Sequence, residues 1–441
     1  MRILFLHDNF PGQFRDLAPA LAKAGHEVVF GTSEPNGELP RVRKAYFGRR
    51  REPSRQLHRY LVDLERAVLS GQGAYRMAKR LEAEGFVPDV VYGHSGWGST
   101  LYMKDAFPDA KLICYFDWYY RPRGANGDFF PQWPMNADRG CFFRARNATS
   151  LLDLAHCDWG VVTTEWQLSQ YPRDALGKLS LLHDGIDTGF WRPEADGRRA
   201  RYVHRGLDLG APELVTYGTR GMDPYRGFDV FLRAVELLHR RRPQLVAAVA
   251  GDDRIPYGSK PPEGSSWKEY MLGQLDLDRS RIHFLGAVPK LAMRQLLRAG
   301  HAHVYFSAPF IPSWSLFEAM STGALVVGSR TAPCEELITD GHNGLLSDFF
   351  DHVELADRIE EAIERQAELA PLRETARATI DDERFALRSV LARQIRLIDD
   401  VRRGAGPTEI EASVADRVRA TARDEGLAEL SGPQRVAPHP A

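Results

Sequence analysis

Residues 304–329 read VYFSAPFIPSWSLFEAMSTGALVVGS, and this stretch decides the fold. A β-branched and aromatic run ends near Phe306, a loop bearing two prolines follows, a helix begins at Ser313, and ALVVGS at 324–329 supplies a second strand. Strand, loop, helix and strand in this order form a crossover unit of a parallel sheet. Ser313 suits an N-cap, which would place the amides of Trp314, Ser315 and Leu316 at the positive end of a helix dipole, where phosphates bind. Glu318 stands one turn inside, offering two acceptor oxygens to ribose hydroxyls. An ordinary capped helix with a solvated glutamate would show the same residues.

The same alternation extends in both directions. Upstream, short apolar runs recur at 3–6 (ILFL), 27–30 (EVVF), 89–93 (DVVYG), 111–116 (KLICYF) and 160–164 (GVVTT). A charged, Arg-rich stretch from Arg192 to Arg205 interrupts them. The pattern resumes at 213–218 (ELVTYG), 245–251 (LVAAVAG), 282–286 (IHFLG), 303–306 (HVYF) and 324–329. Phe228, Phe231, Leu232, Val235 and Leu238 fall on one helical face and read as core. The expectation is an α/β chain of two Rossmann-like, doubly wound domains facing a central cleft, with ligands at the carboxyl ends of the strands. The first domain spans 1–190 and the second 191–383. A terminal helix at 384–403 is expected to pack back on the first domain, and the charged, apolar-poor 404–441 reads as a disordered tail.

Composition narrows the function. The 441 residues exceed one ordinary core, and 58 basic against 59 acidic side chains leave a net charge of −1, so nothing drives the chain toward nucleic acid. Any anion site must be local. Cys114, Cys141, Cys157 and Cys334 are scattered without a metal-ligand or disulfide spacing. MRILFLHDNF has only a four-residue apolar run, shorter than the core of a signal peptide. A cytoplasmic protein is expected, with the sequon at Asn147 incidental. The basic stretch 41–55 is a candidate for peripheral contact with the inner membrane face, or a solvated loop.

Four other segments could carry chemistry. YGTRGMDPYRGFDVFLRA at 217–234 places Arg220 and Arg226 in a Gly-punctuated loop ahead of an amphipathic helix, where two guanidinium groups could clamp a diphosphate. HDNFPGQF at 7–14 is the turn after the first strand, and Gly12 would let its backbone approach a ligand. It lacks the GxGxxG pattern of a nicotinamide-dinucleotide site. YFDWYYRPRG at 115–124 sets Asp117 beside Trp118, Tyr119 and Tyr120, a carboxylate among aromatic faces that suits a carbohydrate or simply a domain surface. His94, in GHSGWGS at 93–99, is a further loop candidate that is also a common type of structural hydrogen-bonding residue.

In combination these motifs resemble the group 1 glycosyltransferases, family 4, of the GT-B architecture, and the resemblance runs from FPGQF to NGLL at 343–346. CEELITDGHNGLL at 334–346 belongs to it, and HDGIDTGFWRP at 183–193 resembles the segment where such chains pass between domains. The resemblance implies that Arg220 and Arg226 hold the donor diphosphate, the second position normally being Lys. It implies that Glu318 is the second glutamate of a Glu-x7-Glu motif on the ribose, that Gly12 lies near the phosphates, and that Ser315 and Leu316 offer amides to the diphosphate. Phe310 stands where the first glutamate of that motif would contact the transferred sugar, and Asp117 roughly where many members have a histidine. The implied function is a metal-independent, retaining hexosyl transfer from a nucleoside-diphosphate sugar to a saccharide, lipid-linked or small-molecule hydroxyl in polysaccharide or glycoconjugate synthesis. No cofactor, metal or nucleic acid is expected, and no Asp-x-Asp metal site is read in either half. A nucleotide-sugar epimerase of the same fold and a non-catalytic GT-B partner protein are the alternatives.

Overall fold

The computed structural model describes residues 1–195, 199–210 and 213–405, so nearly all of the expected tail at 404–441 lies outside the described residues. The chain divides into two compact units. The first comprises Met1–Tyr120, Cys141–Leu182 and the described residues from Arg393 onward; the second comprises Arg121–Gly140 and His183–Ala392.

The first unit is built on seven parallel strands: β1 (Arg2–Leu6), β2 (Glu27–Thr32), β3 (Arg43–Tyr46), β4 (Val90–His94), β5 (Lys111–Tyr115), β6 (Trp159–Val162) and β7 (Leu179–Leu181). Their order is β3-β2-β1-β4-β5-β6-β7. β1 and β4 are apolar throughout their paired interior because crossover helices cover both faces of a parallel sheet. The long helix Val62–Ala83 buries Ala74, Met77, Ala78 and Leu81 against Leu4, Leu6 and Val29. β3 takes up part of the basic stretch 41–55, whose Arg43, Arg49 and Arg51 pair with Glu84, Glu52 and Glu65. Asn147, the sequon residue, is buried and holds the Tyr120 backbone through both ends of its amide.

In the second unit an antiparallel hairpin, β8 (Tyr202–His204) and β9 (Leu207–Leu209), overlaps the end of the Arg-rich interruption. Six parallel strands follow: β10 (Glu213–Gly221), β11 (Leu245–Asp252), β12 (Ile282–Gly286), β13 (Ala302–Tyr305), β14 (Val326–Ser329) and β15 (Leu345–Ser347), in the order β12-β11-β10-β13-β14-β15. In each sheet the strand order reverses once, between β1 and β4 and between β10 and β13. The loops leaving those strands border the crevice in which such sheets bind ligands.

The Arg121–Gly140 segment follows β5 in sequence yet belongs to the second unit. Its aromatic side chains explain this. Phe130 lies 5.0 Å from the Tyr225 ring and Phe129 4.9 Å from Phe349, so the segment completes the apolar core formed by Phe228, Phe231 and Val249. Among the described residues no helix is long and apolar enough to cross a membrane.

Candidate donor site

The loop after β10 is shaped by one buried carboxylate. Asp223 accepts from the Tyr225 amide at 2.9 Å through Oδ1 and from the Tyr257 amide at 3.1 Å through Oδ2. It caps the tight turn Pro224–Arg226, and Gly227, in a left-handed conformation, starts the helix Phe228–Arg241. Burial pushes the Asp223 carboxyl above its usual range, opposed by those two amides and by Arg226.

That turn delivers Arg226 to the carboxyl end of the sheet with only 7% of its surface exposed. Its Nη1 donates to the Tyr305 hydroxyl at 3.1 Å and the Ser307 hydroxyl at 2.7 Å, and its Nη2 to the Ile311 carbonyl at 3.0 Å. The guanidinium also stands 5.2 Å from the centre of the Tyr257 ring. Burial alone would disfavour the charge, but Tyr305, Tyr257 and Asp223 outweigh it and hold the group firmly protonated. All three direct partners are neutral oxygens, and a buried cation so placed favours an anionic ligand.

The loop after β13 closes on the same place. Tyr305 accepts the Arg226 bond and also accepts from the Ser313 amide at 2.7 Å, tying the start of the donor helix to the arginine. Ser313 caps the helix Trp314–Ser321, as its sequence suggests. The first-turn amides are less available than expected: Ser315 N–H reaches the Ser313 hydroxyl at 3.3 Å and Leu316 N–H the Ser313 carbonyl at 3.0 Å. The cap residue turns its own oxygens over these amides, so a phosphate must compete with a long, weak bond at Ser315 and a normal one at Leu316. Trp314 donates its indole N–H to Asp184 at 2.7 Å, which fixes the outer side of the helix. Glu318 is half-buried on the following turn, and Leu316 is fully buried core.

Phe310 packs edge-on against Tyr225 and Tyr257, with ring centres 6.1 and 5.6 Å away. The place where the resemblance expects a carboxylate is an aromatic wall. Arg220 stays exposed at the end of β10, with Arg254 donating to its carbonyl at 3.2 Å. Asp276 and Asp278 do have Asp-x-Asp spacing, but they precede β12, and Asp278 is occupied by Ser280 and by Arg281 at 2.7 Å.

In the first unit the loops after β1, β4 and β5 converge on two histidines. Gly12 has φ of +52°, and a Cβ there would collide with the His7 ring, so only glycine lets the loop close over it. His7 Nδ1 accepts from the Asn9 amide at 2.9 Å, which leaves the proton on Nε2 for Gln13 Oε1 at 2.6 Å. The His94 ring centre lies 4.6 Å from that of His7. His94 donates from Nδ1 to the Ser95 carbonyl at 2.7 Å, and burial, with His7 adjacent, keeps it neutral. Its Nε2 therefore faces Asp117 Oδ2 at 4.0 Å as one acceptor facing another, an arrangement suited to receiving hydroxyl hydrogens. Trp118 is buried with its ring centre 6.2 Å from that of Trp166, and Tyr119 is half-buried with its ring centre 5.5 Å from that of Tyr171.

The sequence alone did not single out Asp223, Tyr257 or Tyr305. Asp223 was legible in principle as the Asp-Pro start of a turn; the two tyrosines act through contacts distant in the chain.

Residues 24–190 match the profile of the glycosyl transferase family 4 group, and residues 211–365 that of the glycosyl transferases group 1. The chain belongs to the group 1 glycosyltransferases. No curated protein sequence matches it. Among solved structures it is similar to sucrose-phosphate synthase from Thermosynechococcus elongatus, with a TM-score of 0.68, 18% identity, and coverage of 92% of this chain and 100% of that one. It is also similar to HepE from Anabaena, solved in complex with UDP-glucose, with a TM-score of 0.63, 17% identity, and coverage of 91% and 100%. A glycosyltransferase from Rickettsia africae gives a TM-score of 0.60 at 14% identity, covering 91% and 98%. These likenesses are of fold, and the fold is GT-B: each of the two parallel sheets described above is one of its Rossmann-like halves.

Proposed function

We propose that this glycosyltransferase moves a hexosyl group from a nucleoside-diphosphate sugar to an acceptor hydroxyl, with retention and without a metal ion, in the synthesis of a polysaccharide or glycoconjugate. The observation that carries the reading is Arg226: a nearly buried, protonated guanidinium bound to three neutral oxygens at the carboxyl end of the donor-half sheet. A diphosphate leaving group gathers negative charge as the glycosidic bond breaks. A cation fixed beforehand stabilises that charge without reorganisation. Arg220, exposed and mobile by side-chain type, adds a second positive charge when the donor is bound. Glu318 receives the ribose hydroxyls, and Ser313 to Leu316 present the helix dipole. His94 and Asp117 are the first unit's acceptors for a sugar hydroxyl, and Gly12 lets its loop close. UDP-glucose, which HepE binds, is the first donor to try.

The test is a thermal-shift panel of UDP, GDP and ADP on the full chain, followed by hydrolysis assays with sugars on the base that binds, with and without EDTA. Stabilisation by one diphosphate and EDTA-resistant turnover are expected. No stabilisation by any of the three overturns nucleotide binding, and donor converted to its epimer without acceptor overturns transfer in favour of epimerisation.

A further inference from the structure

The last ladder contact between β13 and β14 pairs Tyr305 with Gly328, so Ser307 lies two residues beyond the paired stretch and its main chain must find other partners. It finds them in side chains. Its amide donates to the Ser329 hydroxyl at 3.0 Å, and its carbonyl accepts from the Thr331 hydroxyl at 2.8 Å. Thr331 has one hydroxyl proton and commits it to that carbonyl, so the 3.0 Å bond between the two hydroxyls is donated by Ser329. A closed ring results, running from the Ser307 amide through Ser329 and Thr331 back to the Ser307 carbonyl.

Three features set this ring apart from an ordinary loop contact. All of its members are buried, and hydrogen bonds linked in series strengthen one another where water is excluded. Thr331 stands at the N-cap of the short helix Ala332–Glu335, where a threonine ordinarily accepts from an amide of its own first turn, yet its hydroxyl makes no such cap. It serves Ser307 instead. The one Ser307 atom outside the ring is its hydroxyl oxygen, which gives its hydrogen to the Ala308 carbonyl at 2.9 Å and receives Arg226 Nη1 at 2.7 Å. That is the shortest of the three bonds on the guanidinium, so the ring fixes the main chain of the residue that aims Arg226.

We propose that Ser329 and Thr331 are positioning residues for the transfer: enclosed themselves, they act by locking Ser307, and through it Arg226, in the direction of the departing diphosphate. The proposal rests on the donor reading of Arg226. A cation aimed in advance stabilises charge that develops only in the transition state, so a slackened ring lowers kcat and leaves KM nearly unchanged. A ring that merely stitched two loops together would lower the melting temperature and leave the kcat of the folded enzyme alone.

Donor hydrolysis by the full-length protein tests it, with UDP-glucose, GDP-mannose and ADP-glucose as probes and the fastest of them carried through a double-mutant cycle. The isosteric Thr331→Val, with Ser329→Ala as a second variant, should lower kcat about fivefold or more while KM stays within about twofold of wild type. Thr331→Ser keeps the hydroxyl and should restore kcat to within about twofold. In the Arg226→Ala background Thr331→Val should cost less than about twofold, because the residue it positions is gone. Wild-type kcat in Thr331→Val, the same fall in both backgrounds, or Thr331→Ser as slow as Thr331→Val would each overturn the proposal. Wild-type turnover in Arg226→Ala, or no hydrolysis of any probe, overturns the donor reading and the proposal with it. A slow Arg226→Ala beside an indifferent Thr331→Val overturns the proposal alone, so the two failures are distinct.

Discussion

Arg226 donates to the Ser307 hydroxyl at 2.7 Å, which joins the loop after β10 to the loop after β13 across the point where the strand order reverses. The candidate site thus contains a cation hydrogen-bonded to the Tyr305 and Ser307 hydroxyls and the Ile311 carbonyl, and its loss can be measured directly.

Arg226→Ala should lower kcat/KM for the nucleotide sugar by about 10- to 150-fold, the equivalent of one charge-assisted contact of about 1.5 to 3 kcal/mol. Arg226→Lys should fall between, since an ammonium lacks the planar fork that serves Tyr305, Ser307 and Ile311 together. Steady-state kinetics decide, and wild-type turnover in Arg226→Ala would remove this residue from the site.

Asp223 acts through the turn it caps. Asp223→Ala strands the amides of Tyr225 and Tyr257, each at a cost of about 1 to 3 kcal/mol, so a melting-temperature drop of roughly 5 to 10 °C is expected. Asp223→Asn keeps one acceptor oxygen and should lose less. A thermal melt of the two variants side by side gives the comparison, and equal melting temperatures would contradict the capping role.

Asp153 gives a pH signature with a definite sign. Burial raises its pKa from 3.8 to about 6, against the hydrogen bonds from Ser95, Thr100 and Gly96. The folded state therefore binds the proton more tightly than the unfolded state, and the stability from this group is present below about pH 4 and lost as pH rises through 6. His301 and His303, pushed down by burial to about 4 and 3, act with the opposite sign in the same range. The difference between wild type and Asp153→Asn removes their contribution. It should decline by about 2 kcal/mol from pH 4 to 6.5 in denaturant melts, and a flat difference would refute the assignment.

Gly12→Ala should destabilise the first unit by roughly 1 to 3 kcal/mol, because the residue needs φ of +52° and its new methyl would displace the His7 ring from Gln13 and Asn9. Chemical denaturation with a tryptophan readout measures it. Gly25, at φ +89° but with nothing near its Cβ, is the control that should cost less.

Much of the architecture was legible before any coordinates. The apolar runs at 3–6, 27–30, 89–93, 213–218 and 245–251 coincide with β1, β2, β4, β10 and β11, since strands buried on both faces must be continuously apolar. β3 was missed because it lies at the sheet edge, where Arg43 and Lys44 are tolerated, and β8 and β9 because a short hairpin carries little periodicity. The Ser313 cap and the Asp-Pro turn before Arg226 are local features and were readable from a few residues each.

The sequence by itself determined two doubly wound halves, the helix capped by Ser313 and the family, because each depends on patterns within a few turns of chain. Only the tertiary structure decided that Arg226 is buried among Tyr305, Ser307 and Ile311, about 80 residues away, and that Phe310 faces Tyr225 and Tyr257. It also buried Trp118 and gave the Arg121–Gly140 segment to the second unit. These are matters of burial and of partners brought together by strand order, and spacing along the chain does not encode them.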